Sequence, residues 1–302
     1  MQIPTTLLSY LKKITKRLRQ NIYYEFLRSF PEAANIEKKA KKHFKNSSKL
    51  KKNFYTPRNA IELKTQGFTK INGLKAGIKK QARINFCDFK NENAFSKSWD
   101  PVSNIQETVK GLNYGDNYHR HIFKITNDLF IELKPFLENI ALMLSDIHKM
   151  SFDFVDYSAV RTLKSNFEES FTNYLWHIDF MRRSNFEYKV MLLLNNVEKE
   201  NGPMQLTDLR FNRTFMLKKN YRMSEKFVRR KSKKFFICKG NKFDTFIFGT
   251  NNAHKAGKVF SGCREVMIFT FYPGSGNIKL PNKNFNESKY KMKPIIESGF
   301  EK

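Results

Sequence analysis

From Trp176 onward the chain is broken into short apolar runs separated by polar turns, and this punctuation limits its possible folds more than any other feature. Tyr188-Lys189-Val190-Met191-Leu192-Leu193-Leu194 suits a buried strand and is short for a helix. Asn196 to Met204 follows as a polar turn, with Gly202-Pro203 as its break. Phe243-Asp244-Thr245-Phe246-Ile247-Phe248 reads as another strand, and Gly249-Thr250-Asn251-Asn252 bends the chain into Ala253-His254. Glu265 to Tyr272 forms a third run, which Pro273-Gly274 ends.

The preceding stretch has a different period. Residues from about Val102 to Met150 read as mostly helical, notably Asp128 to Leu133 and Leu137 to Ile147, and should pack outside the sheets. At 302 residues the chain can bury a substantial core, and one enzyme-sized domain with helical additions accounts for it. No apolar stretch of about 20 residues is present, so no transmembrane helix is expected. The first residues carry basic groups throughout and lack a secretory apolar region. Three cysteines, Cys87, Cys238 and Cys263, show no metal-type pairing, and their odd, sparse count fits a reducing cytoplasm.

Chemistry concentrates in Trp176-His177-Ile178-Asp179, His254 and Arg264. On a strand, residues two apart point to one face, so His177 and Asp179 can grip one ion while Ile178 turns into the wall behind. Two imidazoles and a carboxylate on one face of an octahedral metal leave the opposite positions open, which a non-haem iron oxygenase needs for a cosubstrate and O2. With six histidines in the chain, His-x-Asp alone is weak, and a polar strand end is the plain alternative. Its order ahead of His254 and Arg264 strengthens it. His119-Arg120-His121 also has strand spacing but no evident third ligand, and His148 lies late in a helical stretch; solvated or hydrogen-bonded histidines account for them.

These residues resemble the phytanoyl-CoA dioxygenase family of Fe(II)/2-oxoglutarate-dependent oxygenases. That family's pattern has Trp-His-x-Asp, a downstream Asn-Gly followed by a hydrophobic residue, an Asp-to-His strand, and an Arg shortly after that His. The similarity runs from about Gly67 to Pro273: Gly67-Phe68-Thr69-Lys70-Ile71 resembles the early Gly-Phe strand, Asn201-Gly202-Pro203-Met204 the mid-domain turn, and Asp244 to His254 the Asp-to-His interval. Arg264 lies one residue closer to the His than is usual, and Leu206-Thr207-Asp208-Leu209 stands where Pro-Gly-Ser-His is frequent.

The resemblance implies a mainly β fold with flanking helices around a double-stranded β-helix (jelly-roll, cupin-like) core near 150–275. It implies His177, Asp179 and His254 as ligands of Fe(II), and Arg264 as the partner of the distal carboxylate of 2-oxoglutarate. A guanidinium fork meets a carboxylate through two parallel hydrogen bonds, which suits that role. The implied reaction consumes O2 and 2-oxoglutarate, releases succinate and CO2, and hydroxylates a substrate C–H bond. Because Asp179 fills the carboxylate position, hydroxylation is favoured over halogenation. Phe180, Arg182 and Arg183, directly after the metal pair, are candidates for substrate contact. The expected organisation is a basic amphipathic helical segment at 1–55, the oxygenase domain at 56–275 with a basic insert at 216–243, and a C-terminal tail at 276–302.

Charge is the second strong signal. The formal net charge is +28, and the surplus is concentrated in residues 1–55 and 216–243. In the first segment Leu7, Leu11, Ile14, Leu18, Ile22 and Phe26 recur at helical spacing between basic residues, a helix that can lie on an anionic membrane or dock on its own domain. Ile36 to Asn53 reads as a solvated helix and linker. The insert is expected to cover the mouth of the site, where Arg229 and Arg230 with neighbouring lysines would attract an anionic small-molecule or carrier-linked substrate. Abundant Lys, Asn, Ile and Phe equally suit an AT-rich coding bias. No specific nucleic-acid motif is present, and charge alone supports nonspecific binding. The rival expectation is a basic peripheral-membrane or nucleic-acid-binding protein on a degenerate jelly-roll without catalysis.

Overall fold

Alternating burial along the downstream strands gives two sheets that close face to face. The computed structural model describes residues 32–46, 55–72, 94–96, 120–123, 127–164, 174–179, 186–211, 222–281 and 293–294, with Ile125 and Ser184. Among these, helices α1 (Glu32–Asn46) and α2 (Pro57–Gln66) lead into strands β1 (Phe68–Ile71), β2 (Ala94–Ser96) and β3 (Arg120–Phe123). Helix α3 (Asn127–His148) precedes β4 (Phe152–Leu163), β5 (Trp176–His177), β6 (Tyr188–Leu193), β7 (Gln205–Arg210) and β8 (Arg222–Met223). Helix α4 (Glu225–Lys231) is followed by β9 (Phe235–Ile237), β10 (Thr245–Gly249), β11 (Asn252–Lys255), β12 (Cys263–Pro273) and β13 (Lys293–Pro294).

The larger sheet has eight strands in the order β1-β10-β6-β12-β4-β3-β2-β13, and the smaller has five in the order β8-β5-β11-β7-β9. From β4 to β7, and again from β9 to β12, the chain alternates between the two sheets. Antiparallel strands crossing back and forth between two sheets make a jelly roll, the double-stranded β-helix expected from sequence. Residues of β12 show how one strand serves two cores. Val266 and Ile268 face the other sheet, with Val160, Met191, Leu193, Phe246, Phe248 and Leu206. Met267, Phe269 and Phe271 face outward against α3, where the Phe136 and Phe269 rings meet edge-on at 6.0 Å.

Upstream residues brace the larger sheet. Thr56 caps α2 through its side chain and Gly67 ends it at φ 81°, a left-handed turn that glycine adopts without a Cβ penalty. A Cβ at Gly67 would also lie 2.3 Å from Asn252 Oδ1, so only glycine lets β1 start this close to β11. Helix α1 is not simply solvated as its lysines suggest. Ala40 is fully buried, and its carbonyl accepts the Ser151 N–H at 3.0 Å.

Two sequence expectations are corrected. The stretch read as mostly helical up to Met150 contains the strand Arg120–Phe123, which pairs with β4 from Arg120↔Thr162 to Phe123↔Ala159. Pairing with β4 on one side and β2 on the other stabilises it where local pattern does not. The described part of the basic insert also lies elsewhere than over the site. Helix α4 packs through Val228 and Phe227 against Trp176, Ile178, Ala253 and Phe211, on the side of the smaller sheet facing away from the larger one. Residues 1–31 and the helix expected there lie outside the described residues. No described helix is long and apolar enough to cross a membrane.

Candidate metal centre

The centre is built on one cross-strand pair. His177 on β5 and His254 on β11 are direct register partners, and their rings lie 4.3 Å apart. Both side chains point between the sheets: Leu206, the other register partner of His254, belongs to the inter-sheet core, and the Phe248 ring lies 5.3 Å from His254. Neighbours in sequence alternate outward, so Trp176, Ile178 and Ala253 sit beneath α4. Strand β5 ends at His177, yet the Asp179 N–H still donates to Thr250 O at 3.0 Å. This extended continuation keeps Asp179 on the same face as His177.

Backbone carbonyls set the imidazole tautomers. His177 Nδ1 lies 2.8 Å from Leu175 O, and His254 Nδ1 lies 2.8 Å from Asn252 O. Each Nδ1 therefore carries the proton and donates it, which leaves each Nε2 with a lone pair for a metal. Ligand atoms of His177, Asp179 and His254 all lie within 4.8 Å of one another. His254 Nε2 is 3.2 Å from Asp179 Oδ2, near the ~3 Å separation of neighbouring donors on bonds of about 2.1 Å.

Electrostatics favour the same protonation states. Burial, then the neighbouring His254, lowers His177 to about 4, so its imidazole is neutral near pH 7. Burial alone would raise Asp179, but the Lys189 ammonium and then His254 hold its carboxyl well below the usual range. Lys189 Nζ lies 2.8 Å from Asp179 Oδ2, which is wholly occluded and takes no hydrogen bond of good geometry from either neighbour. An ionised, buried oxygen flanked by two imidazole nitrogens fits a divalent cation.

The larger sheet contributes cations to its inward face, of which Lys189 meets Asp179. Arg264, the second residue of β12, lies opposite Thr162 and shares the inward face with Val266; it is 7% exposed, and its Nη1 donates to Gly257 O at 3.1 Å. Lys189 comes from β6, whose inward residues include Met191 and Leu193. Sequence reasoning passed over Lys189, although a lysine inside an apolar run was the available signal. Arg229 and Arg230 are not brought to the cluster: they are exposed on α4, beyond the opposite face of the smaller sheet. Phe180, Arg182 and Arg183 lie outside the described residues. His148 is a hydrogen-bonded histidine that does not join the donors, with Nε2 at 2.8 Å from Tyr188 Oη on the helix-covered face of the larger sheet.

The chain matches no family profile and no curated protein. Among solved structures it is similar to the non-heme alpha ketoglutarate dependent epimerase SnoN from nogalamycin biosynthesis, at 11% identity and TM-score 0.46, over 72% of this chain and 80% of that one. It is also similar to EctD from S. alaskensis with 2-oxoglutarate and 5-hydroxyectoine, at 11% identity and TM-score 0.45, over 78% and 82%. A third is HygX from Streptomyces hygroscopicus with nickel, 2-oxoglutarate and hygromycin B, at 12% identity and TM-score 0.41, over 72% and 88%.

Proposed function

We propose that the protein is an Fe(II)- and 2-oxoglutarate-dependent dioxygenase that hydroxylates a C–H bond of a small or carrier-linked, anionic organic substrate. One observation carries the reading: two Nε2 atoms and one ionised carboxylate oxygen converge between the sheets of a jelly roll that also buries Arg264 on its inward face. In this reading His177, Asp179 and His254 hold the iron, and Arg264 pairs with the distal carboxylate of 2-oxoglutarate. When bound, the iron and 2-oxoglutarate supply oxidative decarboxylation with O2, giving succinate, CO2 and an oxidant for the substrate.

The chain's own residues have definite tasks. Leu175 O and Asn252 O fix the imidazole tautomers, and Lys189 keeps Asp179 ionised. Arg264 offers a preorganised fork in a dry interior, where a charged pair is worth more than at the surface. Phe248, Leu206 and Val266 line the space between the sheets and exclude water from it. Phe180, Arg182 and Arg183, next along the chain from Asp179, are proposed to meet the substrate, with the arginines attracting its negative charge.

The test is anaerobic titration of the full chain with Fe(II) or Co(II), then 2-oxoglutarate, followed by succinate release in air. Wild type should bind metal and then 2-oxoglutarate, and His177→Ala should bind neither. Failure of wild type to bind 2-oxoglutarate with ferrous iron present would sink the oxygenase reading and leave a basic binding protein on a jelly roll. Metal-dependent turnover that survives Arg264→Ala would instead point to a metal-dependent cupin without this cosubstrate.

A further inference from the structure

On the outer side of the smaller sheet lies a patch that the metal centre does not use. Along β9, Phe236 turns inward against Phe246, while Phe235 and Ile237 turn outward and are 44% and 50% exposed. Helix α4 runs beside them. Residues 226–242 carry eight Lys and Arg and no acid. Arg230, Lys231, Lys233 and Lys234 are exposed and make no ion pair among the described residues.

The patch is held in a fixed shape. Ser224 caps α4 by accepting the Phe227 N–H at 3.2 Å, and Val228 is fully buried. Glu225 accepts the Trp176 indole N–H and pairs with Lys255 Nζ at 3.1 Å. Asp208 Oδ1 accepts the N–H groups of Lys233 and Lys234 at 3.0 and 3.1 Å, so the turn after α4 is tied to β7. Cations and apolar side chains are thus presented together on a folded surface.

We infer that this face docks on an anionic membrane surface, with Arg230, Lys231, Lys233 and Lys234 against lipid headgroups and Phe235 and Ile237 entering the acyl boundary. Clustered cations near an anionic leaflet gain attraction additively, and exposed apolar side chains beside them gain by leaving water. Nucleic acid would satisfy the cations but not Ile237, which has no ring to stack on a base. Phe235 is a poor stacking platform as well, because the Arg229 guanidinium lies over its ring at 5.7 Å and Trp176 meets it edge-on at 6.0 Å. This inference does not depend on the oxygenase reading, since the patch and the donors occupy opposite faces of one sheet.

Flotation of the full chain with phosphatidylcholine vesicles, with and without phosphatidylserine, tests it. Binding should require phosphatidylserine and weaken as salt rises. Combining Arg230→Glu, Lys233→Glu and Lys234→Glu should lower the partition coefficient at least about tenfold. Phe235→Ser with Ile237→Ser should lower it while leaving the salt dependence unchanged. Reversing the same number of charges on exposed Lys38, Lys41 and Lys42 of α1 should change it less than about twofold, because they lie off the patch. Equal binding to both vesicle types overturns the inference. So does binding that the patch variants leave intact, which would assign the contact to the basic segment at 1–55. An equal loss in the α1 variant, or capture of a single-stranded oligonucleotide under salt conditions where vesicles are not bound, overturns it too.

Discussion

The two sheets of the sandwich differ in how they are held. In the larger, β12 pairs with β4 all along Cys263–Pro273 and with β6 from Val266 to Phe271, and apolar clusters cover both faces. In the smaller, β5 and β8 are two residues each, and β11 pairs with β5 through the single register pair His254↔His177. The candidate metal donors sit on the weakly paired sheet, and Lys189, which meets Asp179, comes from the strongly paired one. Pairing and packing hold the larger sheet, while the smaller, sparsely paired one carries the His177, Asp179 and His254 cluster. Substitutions in the two sheets should have separable effects.

The sharpest separation comes from the donors. His254→Ala should reduce Fe(II) or Co(II) binding to background by calorimetry, yet move the melting temperature of the metal-free protein by no more than about 8 °C. A collapse of the fold instead would break the comparison. Next, Phe269→Ala in the larger sheet should cost ~3–5 kcal/mol in denaturant unfolding, because a fully buried ring between β12 and α3 leaves a cavity. Metal affinity of the folded fraction should be unchanged. Arg264→Leu should raise the 2-oxoglutarate KM about 30-fold, equivalent to ~2 kcal/mol for a truncated buried charge partner, while metal binding persists.

A further effect concerns acid. Burial, then the nearby Lys64, lowers His148 to about 4 from an ordinary value of 6.5. The unfolded chain therefore takes up a proton below about 6.5 that the folded protein refuses until about 4. Stability from this site is whole above 6.5 and is lost as pH falls through that window. His177 behaves alike in the smaller sheet, with the same direction and a value of about 4. His148→Gln should flatten the melting temperature against pH between 6.5 and 4 without altering metal affinity at neutral pH. Superimposable profiles for wild type and variant would remove His148 as a cause.

Much of this division was legible in sequence, and the failures have physical reasons. Strands β6, β10 and β12 were visible because apolar runs ended at Gly, Pro or Asn and strand periodicity is local, whereas β1 was legible only through the family resemblance. The two-residue strand β8 carries too little pattern, and β3 exists through pairing with β4. Lys189 was missed because its partner Asp179 meets it only when two sheets close. The insert was misplaced because eleven basic residues in 216–243 hid an apolar stripe: Phe227 and Val228, bracketed by cations, fix α4 to the outer side. A capping Ser224 followed by Glu225 was the overlooked sign of a docked helix.

The direct opposition of His177 and His254 also governs how such a chain can drift. Between them, turns within residues 180–251 can accept or lose segments with no shift of either imidazole. A single residue gained inside Trp176–Asp179 or Asn252–His254 is different. It would turn the following donor to the outer side, under α4. Descendants of this chain can therefore change almost all their loops and most of their surface while keeping the centre, provided the spacing within those two short segments is left alone.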